Sequence, residues 1–122
     1  MRAVFQLLLY GLPFVFSKIL DFRADFGAVP DNESSETCRF NSQLLARVLT
    51  ENASHNILVI PENYTFHFYH GIYAKHVNHT IIQVDGTLRF EKSEIDKSKE
   101  WVHACLVIDK SENVTITSSG RG

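Results

Sequence analysis

The chain has 122 residues, 44% of them apolar and 21% charged, with 12 basic against 14 acidic side chains and a formal charge of -2. That balance builds no polyanion-binding surface, so nucleic acid is not an expected partner. Six Gly and three Pro exclude collagen-like and low-complexity sequence. A chain this short is one domain at most and must draw nearly every element into its core.

After Arg2, the run Ala3–Phe16 carries no ionisable group except the neutral Tyr10. Fourteen residues reach about 21 Å as a helix, short of the roughly 30 Å of a bilayer's hydrocarbon core. The run reads as a signal peptide over residues 1–17, with Val15 and Ser17 as small side chains ahead of a cut before Lys18. The alternative is an N-terminal membrane anchor built on Leu7-Leu8-Leu9. The expectation is a secreted, extracellular protein with no membrane attachment after cleavage.

Export makes sense of the asparagines. Ser and Thr together number 17 of 122, so about one of seven Asn should open an Asn-x-Ser/Thr acceptor by chance. Five do: Asn32, Asn52, Asn63, Asn78 and Asn113. Asn113-Val114-Thr115 also fits a plain turn into a strand. Cys38 and Cys105 are the only cysteines. In an oxidising compartment they would close one long loop; otherwise they are two buried thiols acting as small hydrophobes.

Residues 18–56 read as an N-terminal segment ending in a helix. Asp31-Asn32-Glu33-Ser34-Ser35 is a polar turn, and from Ser35 the pattern becomes helical, with a Ser to cap and Glu36 in the first turn. Cys38, Phe40, Leu44, Leu45, Val48 and Leu49 fall on one half of the wheel, opposite Arg39, Ser42, Gln43, Ala46 and Thr50, so the helix is expected to lie on a surface made elsewhere.

From residue 57 to 122 the chain turns to strand-length runs: Ile57–Ile60, Tyr64–Tyr69, Thr80–Val84, Thr87–Phe90, Cys105–Ile108 and Val114–Thr117. One further helical turn is allowed between Ser93 and Trp101. The runs at Ile57, Ile81 and Cys105 begin 24 residues apart, twice in succession. A fixed period of that size suits a parallel β-solenoid whose aliphatic side chains stack at about 4.8 Å, with the helix as the cap over its first turn. An antiparallel sandwich also accommodates six short strands.

The ordered series of local sequences resembles the N-terminal part of the pectin-lyase-like right-handed β-helix proteins, specifically the polygalacturonases of glycoside hydrolase family 28. Asp25-Phe26-Gly27-Ala28-Val29-Pro30-Asp31 resembles the opening D-F-G-A-x-x-D, and Thr37 sits where a D-x-T precedes the capping helix. Leu58-Val59-Ile60-Pro61 with Tyr64 resembles V-x-I-P-x-G-x-Y, though one residue shorter and without its Gly. Gln83-Val84-Asp85-Gly86-Thr87-Leu88 is close to V-x-G-T-L; Trp101 follows, and Asn113-Val114-Thr115-Ile116-Thr117 is like N-V-T-I-x-G. The resemblance implies a mainly β, right-handed parallel β-helix, here its first coils and helical cap as an incomplete fragment. It also implies a parent that hydrolyses α-1,4-galacturonosyl bonds in pectin, an acidic plant cell-wall polysaccharide, without a cofactor. The family's N-x-D, D-D, G-H-G and R-x-K motifs belong to later coils and do not occur here; Tyr69-His70-Gly71 comes too early to be the G-H-G.

The residues themselves assign no catalytic, cofactor or metal position. Asp85 and Asp109 each follow an aliphatic run and lie 24 residues apart, so strict stacking would set them about 4.8 Å from each other, near a retaining glycosidase's spacing. Two hydrated turn carboxylates are the plainer reading. His67/His70 and His76/His79 are each spaced by three, which points rings to opposite faces of a strand rather than at one metal. Lys92, Lys97, Lys99 and Lys110 could touch an acidic sugar, but Glu91, Glu94, Asp96 and Glu100 are interleaved with most of them. The chain alone is therefore expected to be inactive. Two other readings stay open: a non-catalytic β-helix that binds glycan or serves as a structural surface, and a pectate-lyase-type eliminase parent needing Ca²⁺ and a basic residue in coils not present.

Overall fold

Strands of three to five residues and one helix make up the described residues, 18–91 and 104–120, of the computed structural model. The expected signal peptide, the turn at Ser93–Trp101, and Lys92, Lys97 and Lys99 lie outside them. The strands are β1 (Ile19–Asp21), β2 (Ile57–Ile60), β3 (Thr65–Tyr69), β4 (Ile72–Lys75), β5 (Thr80–Val84), β6 (Thr87–Glu91), β7 (Leu106–Asp109) and β8 (Val114–Thr117), and the helix is α1 (Ser35–Glu51). The fold is mainly β, and every ladder between these strands is parallel. That excludes the antiparallel sandwich.

Parallel partners cannot be joined by a hairpin, so the chain must travel before returning to a ladder. It does so by visiting three sheets in rotation. β2, β3 and β4 lie in three different sheets, β5, β6 and β7 pair onto them in the same order, and β8 returns to β5. The resulting sheets are β1-β2-β5-β8, β3-β6 and β4-β7.

The turns also stack in register. Thr80↔Val114 and Ile57↔Ile81 place His55, His79 and Asn113 at one equivalent position, and all three have positive φ, at 66°, 53° and 56°. Asn and His tolerate this left-handed backbone better than β-branched residues do, which explains the residue types in the column. His76 and Lys110 form a second such column, at 59° and 52°.

Inward positions carry the core. Leu58, Ile60, Phe66, Phe68, Ile72, Ala74 and Val77 of the first layer are all buried, whereas the second-layer residues Leu88, Phe90, Leu106 and Ile108 are only half-buried. Phe68 stacks on its register mate Phe90 with centroids 5.1 Å apart.

At the front, β1 extends only the first sheet, and the other two are closed by different means. Phe22, fully buried, packs against Phe66 at 5.4 Å and Phe68 at 6.1 Å. α1 lies across β3 and β4. It starts as expected: Ser34 is the N-cap, its Oγ accepting from Thr37 N at 3.1 Å, with Glu36 in the first turn.

Three expectations need correcting. Phe40 is 44% exposed, because the buried stripe of α1 is centred on Thr37, Asn41, Leu44, Leu45 and Val48 and leaves Phe40 on its rim. The strands β1 and β4 were not expected. The second 24-residue interval is not a repeat of the stack: β7 pairs with β4, not β5. The register from β5 to β8 is 34 residues, against 24 from β2 to β5. The difference of ten arises because the β6–β7 connection is twelve residues longer than β3–β4, and β5–β6 two shorter than β2–β3.

Candidate functional site

The two carboxylates suggested by the 24-residue spacing do not meet. Asp85 directly follows β5, one residue beyond the Ile60↔Val84 pair, whereas Asp109 ends β7 opposite Lys75, in a different sheet. Asp85 is buried, and its carboxylate accepts from Gln83 Nε2 at 2.7 Å and Ser119 N at 2.8 Å. Its own N–H donates to Ile60 O at 2.9 Å. These bonds tie β5, the preceding layer and the segment after β8 together, so Asp85 works as a backbone brace. Asp109 accepts from Tyr73 Oη at 2.7 Å on the outer face of β4-β7. That bond first, and then the Lys110 N–H and the Lys110 and Lys75 charges, hold its carboxyl below the usual carboxylate range despite some desolvation; the same bond raises the Tyr73 phenol. Neither carboxylate is set up as half of an acid/base pair across a glycosidic bond.

The histidines serve the scaffold. His55 and His79 stack with centroids 5.1 Å apart, and His79 Nδ1 meets Asn113 Nδ2 at 3.0 Å, continuing the left-handed column through three layers. His67 is buried, with Nδ1 3.9 Å from Glu91 Oε2, and His70 packs edge-on to Phe90. Among the described residues no group of three or more His, Cys, Asp or Glu is placed to hold a metal ion.

Cys38 and Cys105 are both free thiols, so the disulfide alternative is not formed; nor are both buried, since Cys105 is exposed. Cys38 lies beneath the first turn of α1. Burial, then the Glu91 and Glu33 carboxylates, push its thiol up, which keeps it protonated at neutral pH.

The five sequons separate by environment. Asn32, Asn52, Asn63 and Asn113 are exposed and Asn78 is half-buried.

Several of the residues that carry the resemblance have structural work at the front of the fold and beside the first sheet. Asp21 Oδ1 accepts from Arg23 N and Ala24 N, while Asp25 Oδ2 accepts from Asp21 N, and Gly27 turns the chain at φ 79°. Asp31 then exchanges two bonds with Thr65, donating N to O at 2.7 Å and accepting at Oδ1 at 3.1 Å. Gly86 is required on steric grounds: a Cβ there would strike Pro61 O and come within 2.8 Å of Tyr64 O.

One position went unnoticed in the sequence. Asn41, fully buried in the middle of the apolar stripe of α1, donates Nδ2 to Val29 O at 2.9 Å and His67 O at 3.2 Å, and accepts from Val29 N at 3.0 Å. A polar side chain inside an apolar helical stripe was the available signal. An open depression of about 290 Å³ is lined by Gly27, Val29, Glu36, Thr37 and Phe40. No protein-family model, no curated protein and no solved structure matches the chain.

Proposed function

We propose that this chain is the opening portion of a secreted, right-handed parallel β-helix of the polygalacturonase-like kind, and that its role is to nucleate and cap a solenoid whose later coils act on pectin. The observation that carries the reading is the rotation of the chain through three parallel ladders behind a helix that closes the front. The ordered D-F-G-A-V-P-D, I-P, G-T-L and N-V-T-I segments support it, since each occupies a turn or ladder position that such a stack needs. In the parent, paired aspartates in later coils would hydrolyse α-1,4-galacturonosyl bonds. Among the described residues, Asp85 and Asp109 do not form such a pair, because Asp85 follows β5 of the first sheet and Asp109 ends β7 of another.

That separation also favours the second reading, a β-helix surface that binds acidic glycan without cleaving it. The test is to follow the encoding reading frame past Gly122 and assay the longer product on polygalacturonate. Reducing-sugar release by the longer product, with none from residues 18–122, is the expected result. Retention of the polysaccharide without cleavage selects the binding surface, and Ca²⁺-dependent formation of unsaturated ends selects an eliminase parent.

A further inference from the structure

The five acceptor asparagines are not equivalent once their exposure and their bonds to neighbouring layers are followed. Asn32, Asn52 and Asn63 are exposed, and no hydrogen bond among the described residues holds their Nδ2. Asn32 Oδ1 accepts from Ser34 N at 3.0 Å, which leaves the nitrogen uncommitted. Asn52 closes the end of α1 through its backbone, its O accepting from Asn56 Nδ2 at 2.6 Å. Asn63 sits at φ 70° in the turn between β2 and β3.

The other two are rungs between layers. Asn78 donates N to Ser54 Oγ at 3.1 Å and accepts from His55 N at 3.0 Å on the layer in front, and its Oδ1 accepts from Glu112 N at 2.9 Å on the layer behind. The hydroxyl of its sequon partner Thr80 is buried and bonds Ala53 O and Asn78 O, both at 3.0 Å. Asn113 accepts from Thr80 N at 3.1 Å, and its Nδ2 lies 3.0 Å from His79 Nδ1, so an imidazole stands against the atom a sugar would occupy.

We infer that Asn32, Asn52 and Asn63 carry N-linked oligosaccharide in the folded protein, and that Asn78 and Asn113 stay bare because the stack uses them as rungs between successive turns. The inference rests on the proposed export. In the transfer, Asn Nδ2 bonds to C1 of an oligosaccharide held on a lipid pyrophosphate, the C1–O bond breaks, the lipid pyrophosphate leaves, and the nitrogen gives one proton to a base. Because attachment precedes completion of the fold, the sorting acts at folding. A bulky, hydrated sugar on Asn78 or Asn113 displaces the bonds that register the turns, and such chains fail to leave the cell.

The full chain is produced in eukaryotic cells twice, once with residues 1–17 as they stand and once with an established leader in their place. Secreted product is treated with peptide N-glycosidase in ¹⁸O water, and the resulting aspartates are located by peptide mass mapping. Label at positions 32, 52 and 63, and none at 78 or 113, is expected. Label at 78 or 113 in secreted protein, or none at any of the three in the chain with the substituted leader, overturns the inference. A chain that stays unmodified only with its own leader refutes the export reading, while the substituted chain still reports the sorting. Asn113→His, which places in the third rung the residue type of the first two, should leave the number of glycan mobility steps unchanged. Asn63→Gln should remove one. Loss of a step with Asn113→His also overturns the inference.

Discussion

Tyr73 and Asp109 form a diagonal pair on the outer face of a parallel ladder, and one hydrogen bond of 2.7 Å moves both acidities. The phenol donates only while protonated and the carboxylate accepts best while ionised, so the bond exists between the two titrations. With Asp109 depressed, its contribution to the fold is fully present above the ordinary carboxylate range and is lost as pH falls through the lowered value. With Tyr73 raised, the contribution is present below the ordinary phenol range and is lost as pH climbs through the raised value. Replacing Tyr73 by Phe removes the donor while leaving the Lys110 and Lys75 charges. Side-chain carboxyl NMR should then show Asp109 titrating at a higher pH than in the parent chain, closer to an ordinary aspartate. An unchanged midpoint would mean that the lysines, not the phenol, set its acidity.

The sequence marks α1 clearly as an element but misleads about which of its residues matter. Apolar periodicity places Phe40 among the buried side chains, yet the polar Asn41 occupies the centre and Phe40 the rim. The reason lies in what the helix covers. Odd-numbered residues of β3 present main-chain groups along the uncovered edge, and a purely apolar stripe would bury these unpaired. α1 answers them with side chains: Asn41 Nδ2 to His67 O at 3.2 Å, and Ser42 Oγ accepting from Tyr69 N at 2.8 Å. Asp31 completes the row at Thr65. No periodicity count can see this, because the requirement belongs to a strand more than twenty residues away. Asn41→Ala leaves the buried His67 O and the part-buried Val29 N and O without this partner and should cost about 2 kcal/mol or more, at roughly 1–3 kcal/mol for a buried orphaned group and less for groups that water can reach. Phe40→Ala should cost less, about 1 kcal/mol, because its side chain is only partly covered. Urea midpoints of the two variants, with unchanged slopes, decide the order; a costlier Phe40→Ala would show that the stripe is read wrongly.

Over the whole molecule, the first 24-residue interval was legible because two aliphatic runs, Ile57–Ile60 and Ile81–Val84, really are register mates. The second was misread because Cys105–Ile108 is equally aliphatic but belongs to another sheet, behind a longer connection. Periodicity reports which residues face inward, and it does not report which sheet they face inward from. The same column of register mates exposes a difference between the two ends of the stack. Along the first sheet, Leu58 and Ile82 are 0% and 4% exposed, and Ile116, next in line, is 59% exposed. At the front, β1, Phe22 and α1 cover the corresponding positions; among the described residues nothing equivalent lies over β8, Leu106 or Ile108. Among the described residues, an apolar surface and main-chain groups of β8 with no further ladder are therefore presented at the rear, a combination that favours pairing with another chain. Residues 18–122 alone should elute from gel filtration as a concentration-dependent oligomer. Ile116→Lys, which sets a charge on that face without touching the first layer, should shift the elution towards monomer and leave the far-ultraviolet circular dichroism unchanged. A compact, cooperatively melting monomer from the unaltered chain would show instead that two layers, closed at the front only, suffice to hold themselves in register.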